Sequence, residues 1–273
     1  MAKSRNKTVK KSSIKLVQVS DAHLFAKTDG KLLGLNTDDS LQSVIDLIKK
    51  EQPDLDMVLV TGDISQDESE ASYQRFEHYM STLTKPSYWL QGNHDNSASI
   101  FQALGGNERL SPCVVSAGSW RIIMLNSSVK DEVGGYLRDS ELAFLEESLA
   151  ENKDKHVMVA LHHHPVKIGS AWLDEQMVGN AEQFLSIIRR HKQVKAILWG
   201  HVHQVVDAQF ESVRLLSLPS TCEQFKPSED DFVADHVNPG YRWFELYDDG
   251  RFETDVSRVE GRAFNVDYSM KGY

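Results

Sequence analysis

The run Ser87-Tyr88-Trp89-Leu90-Gln91-Gly92-Asn93-His94-Asp95 sets an apolar strand against a polar turn. A glycine lets the backbone turn tightly, and the three polar residues after it suit a strand end that opens onto a site. Asn93 offers a neutral carbonyl ligand, His94 a titratable imidazole, and Asp95 a carboxylate that could orient that imidazole. Alone, such a tripeptide is most often an Asx turn with a solvated histidine. The rest of the chain repeats the pattern, and the repetition changes its meaning.

Working outward, the β-branched run Ile14 to Val19 ends in Ser20-Asp21-Ala22-His23. In an extended segment that spacing points Asp21 and His23 to one face. Met57 to Val60 ends at Thr61-Gly62-Asp63, and His156 to Leu161 runs into His162-His163-His164-Pro165. Ala196-Ile197-Leu198-Trp199 closes at Gly200-His201-Val202-His203. Five times an apolar strand gives way to small residues or glycine and then to metal-type side chains.

Helical patterns alternate with these strands. Leu41, Val44, Ile45 and Ile48 recur at helical spacing, with Asp38 or Asp39 as the cap. Further helices are predicted over 68–82 and 98–104, from a Ser140 cap through Leu142, Leu145 and Leu149, and over 181–191. Strands over 113–117 and 120–125 pair through a short turn. Beyond about residue 200 the pattern is mostly strand, over 205–210, 213–218, 241–247 and 252–257. The alternation defines an α/β protein. Residues 219–240 form a long polar stretch without periodicity, and loops of that length are often functional or mobile.

Composition narrows the function. The 273 residues carry a formal net charge of −10, which argues against a nucleic-acid surface. A small anionic substrate remains compatible, because a bound cation outweighs a distant field. The 2 cysteines, Cys113 and Cys222, lie far apart, so neither a disulfide framework nor a thiolate metal site is expected. That favours a reduced, cytoplasmic setting. No apolar run approaches the roughly 20 residues of a membrane span. Residues 1–12 are basic without an apolar stretch and read as a disordered tail, which leaves 13–273 as one domain.

Collected, the strand-end residues are Asp21, His23, Asp63, Asn93, His163, His201 and His203. Strand ends of one sheet converge on one crevice. These ligands are too many for one tetrahedral zinc and suit two metals that share a carboxylate. Nitrogen and oxygen donors fit iron, manganese, zinc or cobalt.

The set Asp21-x-His23, Gly62-Asp63, Gly92-Asn93-His94-Asp95, His163-x-Pro165 and Gly200-His201-x-His203 resembles the calcineurin-like metallophosphoesterase signature. Within it, the chain is similar to the bacterial class III 3′,5′-cyclic-AMP phosphodiesterases. Ser20 to Phe25, the triple histidine with Pro165, Ser170 to Asp174 and Pro219 to Pro227 carry that likeness. The resemblance implies a four-layer α-β-β-α sandwich of two mixed sheets and hydrolysis of cyclic AMP to 5′-AMP, lowering intracellular cyclic AMP. It also implies two divalent ions, Fe2+ and/or Mn2+, with Asp21, His23 and His203 on the first and Asn93, His163 and His201 on the second. Asp63 would bridge them.

Four positive charges less those of Asp21, Asp63 and a bridging hydroxide nucleophile leave about one, matched to a phosphodiester monoanion. His94, not needed as a ligand, and Asp95, which would orient it, form the catalytic pair, and the resemblance implies His23, Asp63, Asn93, His94 and His203 as substrate contacts. Trp172 and Phe225 read first as packing residues and second as platforms for the base. Another phosphodiesterase or phosphomonoesterase of the same superfamily is the alternative activity. A scaffold that had lost its metals is the alternative of another class, against which the complete ligand set argues.

Overall fold

Two βαβαβ units carry the chain. The computed structural model describes residues 13–106 and 109–272, so the tail expected over 1–12 lies outside the described residues. The first unit begins with β1 (Ser13–Val19), the small ribbon β2 (Lys31–Leu32) and β3 (Leu35–Asn36), and α1 (Thr37–Glu51). It continues through β4 (Met57–Thr61), α2 (Glu70–Ser81) and β5 (Ser87–Leu90), with β1, β4 and β5 parallel. After α3 (Ser97–Leu104) and β6 (Cys113–Ala117), the second unit runs β7 (Trp120–Met124), α4 (Asp139–Glu151), β8 (His156–Ala160), α5 (Ala171–Asp174), α6 (Ala181–Arg190) and β9 (Val194–Leu198). Its three strands are also parallel.

The remaining strands widen both sheets. β10 (Asp207–Phe210) and β11 (Val213–Leu216) extend the second, and β12 (Gly240–Tyr247) with β13 (Phe252–Arg258) returns to the first. The orders are β13-β12-β1-β4-β5 and β10-β11-β9-β8-β7-β6, and both sheets are mixed.

Period-two alternation builds the layers. Leu16, Met57, Leu59, Met124, Met158, Ala160, Ala196 and Leu198 point into a shared core between the sheets. Their neighbours Val17, Val19, Val58 and Val60 turn outward against Leu41, Val44, Ile45 and Ile48 of α1. On the other sheet Ile123, Val157, Val159 and Ile197 pack on Leu145 and Leu149 of α4 and Phe184 and Ile188 of α6. The result is helix, sheet, sheet, helix. Each fully buried aliphatic side chain contributes roughly 1.5–3 kcal/mol to that stacking.

A polar side chain breaks the inner layer beneath the site. Gln18 is fully buried and donates to Thr61 Oγ1 at 3.0 Å and to the Trp199 carbonyl at 3.2 Å, tying the two sheets beneath the site.

Local readings shift in three places. Asn36, not Asp38 or Asp39, caps α1, with its side chain accepting from Asp39 N at 2.8 Å. Arg138 precedes α4, so Ser140 sits inside the first turn and Asp139 and Glu141 supply the acidic N-terminus. The stretch after Leu218 is not an open loop throughout, because residues 219–225 are buried. Among the described residues no helix is long and apolar enough to cross a membrane.

Candidate metal centre

The C-terminal ends of β1, β4, β5, β8 and β9 meet at one edge of the sandwich. Small residues let them meet. A Cβ on Gly92 would overlap the Asp63 carboxylate, and one on Gly200 would overlap the Ser20 hydroxyl and crowd the Thr61 carbonyl at 2.7 Å. The segment at Asp21 and His23 is not extended as expected, and the turns at Asp63, His201 and His203 share its backbone. Asp21, His23, Asp63, His201 and His203 have φ of 58°, 47°, 50°, 64° and 46°, the left-handed region that non-glycine residues avoid. Backbone bonds over-determine these conformations: Asp21 N donates to Gly62 O at 2.9 Å, and His23 N to Asp63 O at 3.0 Å. Such strain, on the order of 1–3 kcal/mol per residue, concentrates where function holds it.

The side chains gather in overlapping clusters. Asp21, His23 and His203 present ligand atoms within 4.8 Å of one another, as do Asp21, Asp63 and His162, and also His162, His163 and His201. Asp63 lies between them: its Oδ2 is 3.2 Å from His162 Nε2 and 3.9 Å from His23 Nε2. Its Oδ1 accepts the backbone N–H of His94 at 2.9 Å. Asn93 Oδ1 stands 3.1 Å from His162 Nε2.

Three imidazoles share one arrangement. Each faces a protein oxygen through Nδ1 and turns Nε2 inward: His23 to Gln66 Oε1 at 2.6 Å, His203 to Glu223 O at 2.9 Å, and His162 to Thr61 O at 2.7 Å. That bond fixes the ring and leaves Nε2 for a metal. Among the described residues, His201 Nε2 and Asp21 Oδ2 are buried with no hydrogen-bond partner. Burial pushes His23 down to about 4 and holds His201 well below the usual range, with the neighbouring histidines adding to the latter. Burial also opposes charge on His162, but Asp63 outweighs it and raises the imidazole. Two buried carboxylates, close-packed imidazoles and orphaned donor atoms fit divalent cations.

The middle member of the triple histidine departs from the others. His163 Nδ1 meets Ser127 Oγ at 2.9 Å and Nε2 meets the Val133 carbonyl at 3.0 Å, so both nitrogens are engaged, although the ring stays in a cluster with His162 and His201. Strand alternation explains the difference. Val157 and Val159 face the helices while Met158 and Ala160 face the other sheet, and continuing the count sends His162 toward Asp63 and His163 away. The signal was present in the sequence.

Asp95 does not orient His94. Its carboxylate accepts from Ile64 N at 3.0 Å, Ser65 N at 3.1 Å, Gly92 N at 2.9 Å and the Tyr73 hydroxyl at 3.1 Å, bracing the turn that carries Asp63. His94 is half-buried, its ring edge-on to His23 with 5.1 Å between ring centres, and it shares a ligand-distance cluster with His23 and Asp63. Gln66, Thr61 and Glu223 were missed as supports. Two of these bonds come from backbone carbonyls, which no side-chain motif encodes.

A fold of two such sheets, with acidic and imidazole ligands at their common edge, defines a phosphoesterase. Residues 14–205 match the calcineurin-like phosphoesterase family, and the chain belongs to it. More narrowly, it is 42% identical to the 3′,5′-cyclic adenosine monophosphate phosphodiesterase CpdA of Pseudomonas aeruginosa, over 100% of both chains. It is 40% identical to CpdA of Vibrio vulnificus over 100% of both, and 37% identical to CpdA of Escherichia coli over 95% of both. Among solved structures, a dimetal phosphatase from Danio rerio shares the fold at a TM-score of 0.63, with 15% identity over 90% of this chain and 99% of that one. A purple acid phosphatase from yellow lupin superposes at 0.66, with 13% identity over 94% of this chain and 53% of its own.

Proposed function

We propose that this chain hydrolyses 3′,5′-cyclic AMP to 5′-AMP at a two-metal centre and so lowers cyclic AMP in the cytoplasm. The observation that carries the reading is the pair of ligand clusters meeting at Asp63, in a chain matched end to end by relatives named for that activity. Asp21, His23 and His203 would hold one divalent ion, Asn93, His162 and His201 the other, and Asp63 would touch both. The inward Nε2 of His162 favours it over His163 in the second set. Nitrogen and oxygen donors without thiolate suit Fe2+ or Mn2+. When bound, such ions lower the pKa of water and polarise phosphoryl oxygens.

The chain's own groups do the rest. Gln66, Thr61 and Glu223 fix the imidazole rings, so the ligands need little reorganisation. Asp63 anchors the His94 backbone, which sets that imidazole at the open edge of the centre. There His94 can hand a proton to the departing ribose O3′. Chromatography of the products from metal-loaded protein should show 5′-AMP alone, with turnover abolished by a strong chelator. Dominant 3′-AMP would overturn the orientation. Intact cyclic AMP beside hydrolysed phosphomonoesters would overturn the substrate.

A further inference from the structure

Beside the metal centre lies a cleft of about 330 Å³ whose floor includes Asn93, His94 and His201. That volume is at the lower end of the roughly 300–1,000 Å³ typical of ligand clefts and suits something of nucleoside size. Its walls change character with distance from the metals. Trp172, Leu173, Phe225, Phe232 and Val133 make them apolar. Phe225 lies flat against His203, 4.1 Å between ring centres at 4°, so it backs a ligand and closes the cleft at once. Trp172 stands edge-on to Phe225 and Phe232 at 5.2 and 5.5 Å, half-buried, with its ring forming part of the wall.

Two polar side chains interrupt this apolar lining, the exposed Lys271 near the C-terminal end and, from the second unit, Gln176. Its backbone is held at both ends, the N–H donating to Leu173 O at 2.8 Å and the carbonyl accepting from Gly135 N at 3.3 Å. The segment 133–135 that donates this bond is itself propped on His163, whose Nε2 meets the Val133 carbonyl and whose ring would overlap any Cβ at Gly135. The Gln176 amide, by contrast, makes no hydrogen bond with any described residue. A half-buried amide on an anchored backbone, in an apolar wall, presents a donor and an acceptor side by side. An adenine edge offers the complementary pair, the N6 amino group and a ring nitrogen.

We infer that this cleft is the nucleobase subsite and that Gln176 is its specificity-determining residue, reading the adenine edge while Trp172 and Phe225 pack against the base. The inference rests on the cyclic-nucleotide reading above and adds the origin of base selectivity. A carboxylate at position 176 keeps the acceptor and loses the donor. It suits the adjacent N1–H and N2–H of guanine and repels an adenine ring nitrogen. Gln176→Glu should therefore lower the ratio of kcat/KM for cyclic AMP over cyclic GMP by roughly 10- to 100-fold, the range one bidentate base contact supports. Gln176→Leu, which keeps the volume without either hydrogen bond, should bring the ratio toward one. It should also weaken inhibition by AMP of the hydrolysis of bis(4-nitrophenyl) phosphate, a diester with no base.

An unchanged ratio in both variants, with AMP inhibition also unchanged, would overturn the base subsite. The base-free diester keeps the two readings apart. If wild-type protein cleaves it and leaves both cyclic nucleotides intact, the substrate reading fails. The cleft is then judged by AMP inhibition alone, which Gln176→Leu must weaken for the assignment to stand.

Discussion

The turn after β1 and the turn after β9 have nearly the same backbone and differ in charge, a carboxylate in one standing where the other has an imidazole. Asp21 and His23 in one, His201 and His203 in the other, all take left-handed φ between 46° and 64°. The two turns lock together, because His201 N donates to Asp21 Oδ1 at 3.0 Å and Asp21 Oδ1 also lies 3.4 Å from His203 Nε2. The first sheet contributes both carboxylates, Asp21 and Asp63, while the second contributes imidazoles at 162, 201 and 203. Among these ligands, negative charge comes from the first half alone, which adds the His23 imidazole, and the second half supplies only lone pairs. A cation between them satisfies both, and the same Asp63 charge raises the His162 imidazole.

The sharpest way to break this division is to remove the carboxylate shared by both halves. Asp63→Ala should lose both metals and lower kcat/KM by on the order of 10⁴-fold, several kcal/mol of transition-state stabilisation. Full metal occupancy in that variant, measured by elemental analysis, would contradict a shared ligand.

His94 belongs to neither half as a required ligand. His94→Ala should keep both metals and lose roughly 10²–10⁴-fold in turnover of cyclic AMP if the ring transfers a proton. The loss should shrink for a nitrophenyl diester, whose leaving group needs little protonation. Equal losses on both substrates would leave only an electrostatic role.

The histidine assignment sharpens the lone-pair side. His162→Ala should weaken the second metal at least 10- to 100-fold more than His163→Ala, a span comparable to the loss of a group that orients a ligand. Isothermal titration of apo-protein with Mn2+ gives both values. A stronger effect at His163 would restore the expectation drawn from the His-x-Pro motif.

The smallest effect concerns a third turn. Asp95→Ala strips the acceptor from Ile64, Ser65, Gly92 and Tyr73. Partly buried donors left unpaired should cost about 2–3 kcal/mol. Calorimetry of the apo-protein should show Tm lowered by roughly 5–10 °C. An unchanged Tm would show that water replaces the carboxylate without loss.

Much of this was readable because strand alternation and glycine placement act locally. The strands ending at Val19, Thr61, Leu90, Ala160 and Leu198 follow from apolar runs, and a candidate ligand by type stands in the turn just beyond each. Where two rings share a motif, type is not enough. His162 and His163 differ by the face of β8 they continue, and a motif built on Pro165 ignores that face. The left-handed turns at Asp21 and His23 were read as extended because hydrogen bonds to Gly62 and Asp63, some 40 residues away, hold them. Asp95 misled for a similar reason. Its partners in sequence suggested His94, but its partners in space are the N–H groups of Ile64, Ser65 and Gly92.

Anomalous diffraction from crystals of the metal-loaded protein puts the paired clusters to the test in one experiment. The account predicts two peaks flanking Asp63, one against Asp21, His23 and His203, the other against Asn93, His162 and His201. A single peak, a pair that leaves Asp63 on one side, or a second peak bound through His163 instead of His162 would contradict it.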